Sequence, residues 1–425
     1  MEAGSSRSAF ARSVIDNAVP TVSTFPWLPL LDGLSEQPLS RRREVLRRIV
    51  QQVMESERTG GTLDDAAFLA LALEVFRYQA HANTAYGTWV QRRGVDPRRA
   101  EALSDILPVP ARAFKDLRML ADGSPVEATF RTSGTTGGAE RRGIHFVRDL
   151  DLYRMSILTT ASNTLLSEPG YNRNSIRVLS LTPGPGVAPD SSLVHMFHIW
   201  IDAWDDGGGG FFGGTSWEPK TGELRAAIGR AVGEGLPVLL VGTAFSFVRW
   251  LDALPSGHPE LPPGSIVVET GGFKGRSRVV PRGELYRALS ATTGVSVARI
   301  VNEYGMTELL SQFYEPVLSG EAPEDPDRRW HVGPSWVRTR ILDPETLDAV
   351  DPGEPGLLCH VDLANLDSAV AVLTEDVGFQ PHELAAARPT SRAFRLLGRG
   401  QGAEPRGCSL VMEELLGVAG PAADR

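Results

Sequence analysis

A chain of 425 residues can bury a large core, and its 42% hydrophobic and 22% charged residues are ordinary for a globular protein. With 43 basic against 52 acidic residues the net charge is -9, which argues against nucleic acid as the main partner, since phosphate binding favours a basic face. Two cysteines, Cys359 and Cys408, are too few for a disulfide scaffold and suit a reducing cytoplasm.

The first residues carry Glu2 and no apolar run, so no signal peptide is expected, and residues 1 to about 35 read as an extended or partly helical lead-in. Residues 41–57 place Val45, Leu46, Ile49, Val50 and Val53 at helical spacing, with arginines on the other face. A second helical block follows over 63–93, opened by Thr62-Leu63-Asp64-Asp65 as a cap, with Phe76, Tyr78, Tyr86 and Trp89 as core. Residues 1–105 are thus expected to form a mainly helical N-terminal section.

Beyond Leu107 the pattern changes to short apolar runs alternating with helices. The runs at 177–181, 237–241, 265–270 and 298–302 read as buried strands of a largely parallel sheet, so the fold class is α/β. Ligands of such sheets sit at the carboxyl ends of the strands. The apolar stretch 236–251 is too short to span a bilayer and reads as a strand followed by a helix. The glycine-rich 207–214 segment reads as a turn between half-domains, and 352–356 as a hairpin-like turn that opens a small β section.

Two segments carry the chemistry. Arg131-Thr132-Ser133-Gly134-Thr135-Thr136-Gly137-Gly138 is rich in hydroxyls and glycine, so its backbone N–H groups and side chains suit phosphate oxygens. It lacks the Gly-Lys-Ser/Thr ending of a Walker A loop. Far downstream stands Asn302-Glu303-Tyr304-Gly305-Met306-Thr307-Glu308. In this order the two segments resemble the adenylate-forming superfamily of acyl- and aryl-CoA ligases, luciferases and peptide-synthetase adenylation domains. The segment Gly402-Ala403-Glu404-Pro405-Arg406-Gly407-Cys408-Ser409-Leu410 narrows the resemblance to the bacterial acyl-protein synthetases known as LuxE. The similarity runs from about residue 70 to about residue 416.

The resemblance implies an adenylate-forming α/β domain over 106–398, then a hinge and short C-terminal segment over 399–425 bearing Cys408. It implies ATP and Mg²⁺ as cofactors. Thr132, Ser133, Gly134, Thr135, Thr136 and Gly137 would wrap the phosphates, with Arg141 or Arg142 supplying positive charge where relatives carry Pro-Lys-Gly. Asn302, Glu303, Tyr304, Gly305, Met306 and Thr307 would bind the nucleotide: Tyr304 stacking on adenine, Asn302 at its amino edge, Thr307 at the α-phosphate. Glu308 would hold Mg²⁺, as suits a carboxylate sharing that ion with phosphate.

Gly271 and Gly272 would line the adenine pocket, and Asp376 and Arg399 would meet the ribose. His195 and Gly305 would line the acyl pocket. His195 and His198 have helical i,i+3 spacing, and a core helix is the other reading of His195. The residues after Arg399 leave little room for the C-terminal domain whose lysine assists adenylation in most relatives; Lys274 is the best-placed substitute, and a surface residue is its other reading.

Cys408 would take the place of the CoA thiol and become acylated, whereas Cys359 reads as core. The implied activity is ATP-dependent activation of a carboxylic, fatty-type acid to acyl-AMP. The acyl group would pass to Cys408 and on to an acyl-reductase partner. The alternative keeps the adenylation and sends the acyl group to CoA, a carrier-protein thiol or an amine, and a third reading is a nucleotide-binding scaffold that no longer turns over. The expected setting is cytoplasmic, without nucleic acid or a membrane span.

Overall fold

The computed structural model describes residues 25–132, 142–168, 170–171, 174–254, 259–272, 277–385 and 392–399. Helix α1 (Leu39–Arg58) turns Leu46, Ile49, Val50, Val53 and Met54 into the core, the face its apolar spacing predicts. Helix α2 (Asp65–Ala82) starts where Asp64 accepts a hydrogen bond from Ala67 N at 2.8 Å. The expected single block over 63–93 is two helices. Asn83 is extended (φ -114°, ψ 107°), ends α2, and caps α3 (Thr84–Arg92) by accepting from Tyr86 N at 3.2 Å. Phe76, Tyr78, Tyr86 and Trp89 are buried as expected.

Short strand β1 (Val109–Pro110) leads to the hairpin β2 (Ala128–Arg131) and β3 (Ile144–Val147), then to α4 (Leu150–Leu165). Next come β4 (Arg177–Ser180), α5 (Ser192–Trp204), β5 (Gly210–Phe211), α6 (Thr221–Glu234), β6 (Val238–Thr243) and α7 (Ala244–Asp252). They are followed by β7 (Ile266–Thr270), α8 (Arg282–Thr293), β8 (Ile300–Tyr304), β9 (Phe313–Tyr314) and β10 (His331–Val332). A run of longer strands completes the described chain: β11 (Val337–Leu342), β12 (Gly356–Asp362), β13 (Ala371–Phe379) and β14 (Ala393–Arg399).

The main sheet has the order β11-β12-β13-β14-β10-β9-β8-β7-β6-β4-β5, with β1 added beside β13. Strands β5, β4, β6, β7 and β8 are parallel, and β8 through β14 to β11 pair antiparallel. The four apolar runs are therefore the central parallel strands. The glycine-rich segment is a correction: it is the edge strand β5 with its approach, not a turn between half-domains. A side chain at Gly209 would stand 2.3 Å from the Val178 carbonyl oxygen, so glycine lets this stretch close on β4.

The N-terminal helices share one core with the sheet. Gln79 donates to the Asn365 and Leu366 carbonyls at 2.7 and 2.9 Å and accepts from Val370 N at 2.8 Å. Arg338 from β11 donates to Asp65 at 2.8 Å and lies over the Phe68 ring at 4.4 Å. Cys359 lies wholly buried in β12, where burial pushes its thiol up to about 11.

Candidate active site

The parallel strands β4, β6, β7 and β8 end on one edge of the sheet, and the expected residues cluster there. Thr132 closes the stem of the β2–β3 hairpin. Its N–H donates to the Gly143 carbonyl at 2.9 Å and its hydroxyl accepts from Gly143 N at 2.8 Å. Ser133, Gly134, Thr135, Thr136, Gly137 and Arg141 lie outside the described residues, as do Lys274 and Cys408.

Arg142 is committed to this stem. It donates to the Thr132 and Arg131 carbonyls and to Asp190 at 2.9 Å, so it braces the loop base rather than standing as an open phosphate ligand.

Glu308 is brought beside the hairpin. A methyl group placed on Gly143 would stand 3.7 Å from Glu308 Oε1. Burial pushes the Glu308 carboxyl up to about 7, with Arg399 and Lys115 opposing that rise and Asp376 adding to it. Thr307 is anchored on both sides: its hydroxyl is 3.4 Å from Ser192 Oγ at the start of α5, and its carbonyl is 2.7 Å from His145 Nδ1.

Tyr304 and Asp376, distant in sequence, meet directly. The Tyr304 hydroxyl donates to Asp376 Oδ2 at 2.9 Å, and Arg399 stands 3.6 Å from Asp376 Oδ1. Burial raises the Asp376 carboxyl, against the hydrogen bond from Tyr304 and the charge of Arg399. The Tyr304 ring sits among Phe394, His360, Phe313 and His331, with centroids between 5.2 and 6.0 Å. That aromatic wall fixes the ring's place at the end of β8.

Asn302 and Glu303 face the sheet's own polar network. Asn302 donates to Glu269 Oε2 at 2.6 Å and to the Glu269 carbonyl at 3.0 Å, and accepts from His331 Nε2 at 2.7 Å. Its carboxamide oxygen, with one of its two acceptor positions taken by His331, keeps the other for a donor such as an amino group. Glu303 accepts a hydrogen bond from Thr270 Oγ1 at the end of β7.

Gly271 has φ +65° and, like Gly272, open space where a side chain would stand. The bare backbone is accessible beyond β7. A methyl at Gly305 would meet Glu303 Oε1 at 2.4 Å, so that carboxylate would have to shift. Met306 packs against the main core.

His195 on α5 stacks on Tyr153 (5.6 Å, 19°) and touches Phe130 (5.1 Å). Its Nε2 is buried without a hydrogen-bond partner. Burial, then His198 and Arg154, lower its pKa to about 4, so the ring is neutral and apolar in character. Tyr153, His145, Ser192 and Lys115 were missed by motif reasoning. The signal for His145 was a polar residue on the inward face of β3, which it shares with Val147.

The polar groups converge on a strip between the β2–β3 stem, the 304–308 turn and the β13–β14 pair. Such a strip suits an anionic, nucleotide-like ligand whose charge is met by backbone amides, Arg399 and a bound cation. Among the described residues no group of three or more His, Cys, Asp or Glu is placed to hold a metal by itself. Glu308, a buried lone carboxylate, fits a magnesium ion that takes its remaining ligands from phosphate and water. Among the described residues no helix is long and apolar enough to cross a membrane.

A family model described as "Acyl-protein synthetase, LuxE" matches residues 239–417. The long-chain-fatty-acid–luciferin-component ligase of Vibrio harveyi is 24% identical over 364 residues, spanning 80% of this chain and 85% of that protein. The protein of the same name from Aliivibrio fischeri is 28% identical over 145 residues, or 33% of this chain and 36% of its own length. A crystal structure of 2-hydroxyisobutyryl-CoA ligase in complex with 2-HIB-AMP and CoA shares the fold, with TM-score 0.55 at 14% identity over 79% of this chain and 68% of that one. The chain is thus similar to LuxE acyl-protein synthetases over residues 239–417 and shares its fold with an adenylate-forming CoA ligase.

Proposed function

We propose that the chain is an AMP-forming acid–thiol ligase that activates a fatty-type carboxylic acid and loads it onto its own Cys408. The observation that carries the first half is the meeting of Thr307, Glu308, Tyr304, Asp376 and Arg399 beside the Thr132 stem. The Vibrio harveyi relative, named for a long-chain fatty acid and a luciferin component, supports the acid class and an acyl-accepting protein partner such as a reductase.

Both reactants of adenylation are anions, so the site must neutralise charge and hold them in line. In the proposed reaction a carboxylate oxygen attacks the α-phosphorus of ATP. The bond from α-phosphorus to the bridging oxygen breaks, and pyrophosphate leaves with its electron pair. Thr307 positions the α-phosphate, Asp376 and Arg399 hold the ribose side, and Glu308 would hold Mg²⁺, which supplies charge neutralisation at the phosphates when bound. His195, Tyr153 and Phe130 form the apolar wall against which the acyl chain would lie.

In the second half-reaction the Cys408 thiolate attacks the acyl carbonyl carbon. A thioester forms as the acyl–phosphate C–O bond breaks and AMP departs, the thiol proton passing to solvent.

The test is pyrophosphate exchange with ATP over a panel of fatty and aromatic acids, followed by intact mass of wild type and Cys408→Ser. Exchange plus an acyl-sized, hydroxylamine-labile mass increase in wild type alone is the expected result. Exchange with no adduct moves the acceptor to CoA, a carrier-protein thiol or an amine. No exchange with any acid overturns the reading.

A further inference from the structure

We infer that His145 is a positioning residue for adenylation: its imidazole sets the Thr307 backbone, and with it the Thr307–Glu308 pair, against the stem of the phosphate loop. The inference rests on the adenylate-forming reading above. His145 lies on β3, directly opposite Phe130 of β2, and so moves with the hairpin that carries the glycine-rich loop. It is buried, with 1% of its surface exposed. Its Nδ1 stands 2.7 Å from the Thr307 carbonyl oxygen, and its Nε2 stands 3.0 Å from Ser368 Oγ. The ring edge packs against Phe114 at 5.5 Å and 80°.

The partners fix the tautomer. A carbonyl oxygen only accepts, so the proton sits on Nδ1, and the bare Nε2 accepts from the Ser368 hydroxyl. Burial holds the ring neutral by lowering its pKa to about 4, which agrees with one donating and one accepting nitrogen. Ser368 is fixed in turn, since its N–H donates to the Asn365 carbonyl at 3.2 Å and its own carbonyl accepts from Asn83 at 3.2 Å.

One ring thus joins three segments far apart in sequence: the phosphate-loop hairpin, the turn bearing Thr307 and Glu308, and the turn before β13. Thr307 faces Ser192 on its other side at a longer 3.4 Å, so the carbonyl bond is the shorter of its two anchors. A backbone shift of a fraction of an ångström at Thr307 would move a group aimed at the reacting phosphorus, where misplacement by about 1 Å costs on the order of a hundredfold in rate.

The test separates position from packing by chemistry. In His145→Asn the side-chain amide stands where Nδ1 was and keeps the donor to the Thr307 carbonyl. In His145→Gln the amide reaches the Ser368 side and loses that donor. His145→Phe keeps bulk and loses both. Pyrophosphate exchange with the acid panel gives kcat and the KM for ATP for each, and urea unfolding reports folding.

The expected result is a fall in kcat of about tenfold to a hundredfold for Gln and Phe. The KM for ATP should hold within about threefold, and Asn should be restored to within about fivefold of wild type. Equal losses in Asn and Gln overturn the inference, as does full activity in all three. Should His145→Phe fail to fold, the Asn–Gln contrast decides alone. If wild type itself exchanges with no acid, this inference falls together with the adenylation reading.

Discussion

Buried charge is treated differently in two parts of this molecule. Where the N-terminal helices meet the sheet, carboxylates face guanidinium groups. Asp367 receives Arg43 at 2.7 and 2.6 Å and Tyr78 at 3.3 Å, and Asp149 receives Arg47 and Arg43. Burial pushes Asp149 up, but the hydrogen bonds from Arg47 and Leu152 N and the charges of Arg47 and Arg43 together hold the carboxyl below its ordinary range. Arg42, with Nε and Nη2 buried and unbonded, and Glu57, which accepts from Ser335 and is raised by burial, depart from this pattern. At the ends of β7, β8 and β13 the balance is reversed, and Glu308, Glu269 and Asp376 are all raised, chiefly by burial. The helix interface compensates its charges internally. The site leaves charge for a ligand to complete, which is the pattern of a place built to bind rather than to hold the fold.

The sharpest way to break this comparison is Glu308→Gln. Exchange activity is expected to fall by about 10²–10³, since a buried ligand of charge at the reacting phosphates is lost. Stability without nucleotide should rise at pH 8, because the folded wild type must ionise a carboxyl that resists ionisation. A variant that loses activity and stability together would place Glu308 with the structural charges.

Asp367→Ala tests the other side. Removing one partner of a largely buried ion pair leaves Arg43 only the longer contact to Asp149, which it shares with Arg47, and is expected to cost about 3 kcal/mol in urea unfolding. Activity per folded molecule should be preserved. A cost near zero would mean that solvent reaches the pair freely.

The pH dependence follows from the sign of the shift. Glu308 has its folded pKa raised from 4.5 to about 7, so between those values the native state holds a proton that the unfolded state has released. Its contribution is fully present below pH 4.5 and is lost as pH rises through 7. The difference in unfolding free energy between Glu308→Gln and wild type should therefore grow from pH 4.5 to 7 and then level off, reaching about 3 kcal/mol. Taking the difference removes the buried histidines, whose lowered values act in the opposite sense as pH falls below 6.5. A flat difference would show that Glu308 is already satisfied in the ligand-free fold.

The contrast also explains what the sequence could reveal. The parallel strands were legible because runs such as Val238–Thr243 and Ile266–Thr270 open with three or four apolar residues and end in small or polar ones. Tyr304, Thr307, Glu308 and Asp376 could be singled out as candidates because they sit in short motifs, and the fold brings them near one another. The break at Asn83 was not, since helical periodicity runs through it and only the side-chain cap to Tyr86 decides it.

The motif implies Asn302 at adenine, and the fold adds Glu269 and His331, far away in sequence, as partners of its carboxamide. The same holds for His145, whose partners Thr307 and Ser368 become neighbours only through the sheet topology. Motifs report what a residue can do; the fold decides which partner claims it first.

The smallest expected effect tests that last point at the Tyr304–Asp376 contact. Tyr304→Phe keeps the ring within the wall of Phe313, His331, His360 and Phe394 and removes one hydrogen bond to a partly exposed carboxylate. A hydrogen bond to a charged acceptor contributes about 1.5 kcal/mol, so a loss of about 1 kcal/mol in stability is expected once exposure is allowed for. If Asp376 serves the ribose, the released carboxylate becomes less well placed, and the KM for ATP should rise by a few fold while kcat is nearly unchanged. An unchanged KM with the same stability loss would make the contact a brace between β8 and β13 alone. A large fall in kcat would instead put the Tyr304 hydroxyl among the groups that act on the reacting phosphate, and would move it from the binding side of the site to the chemical one.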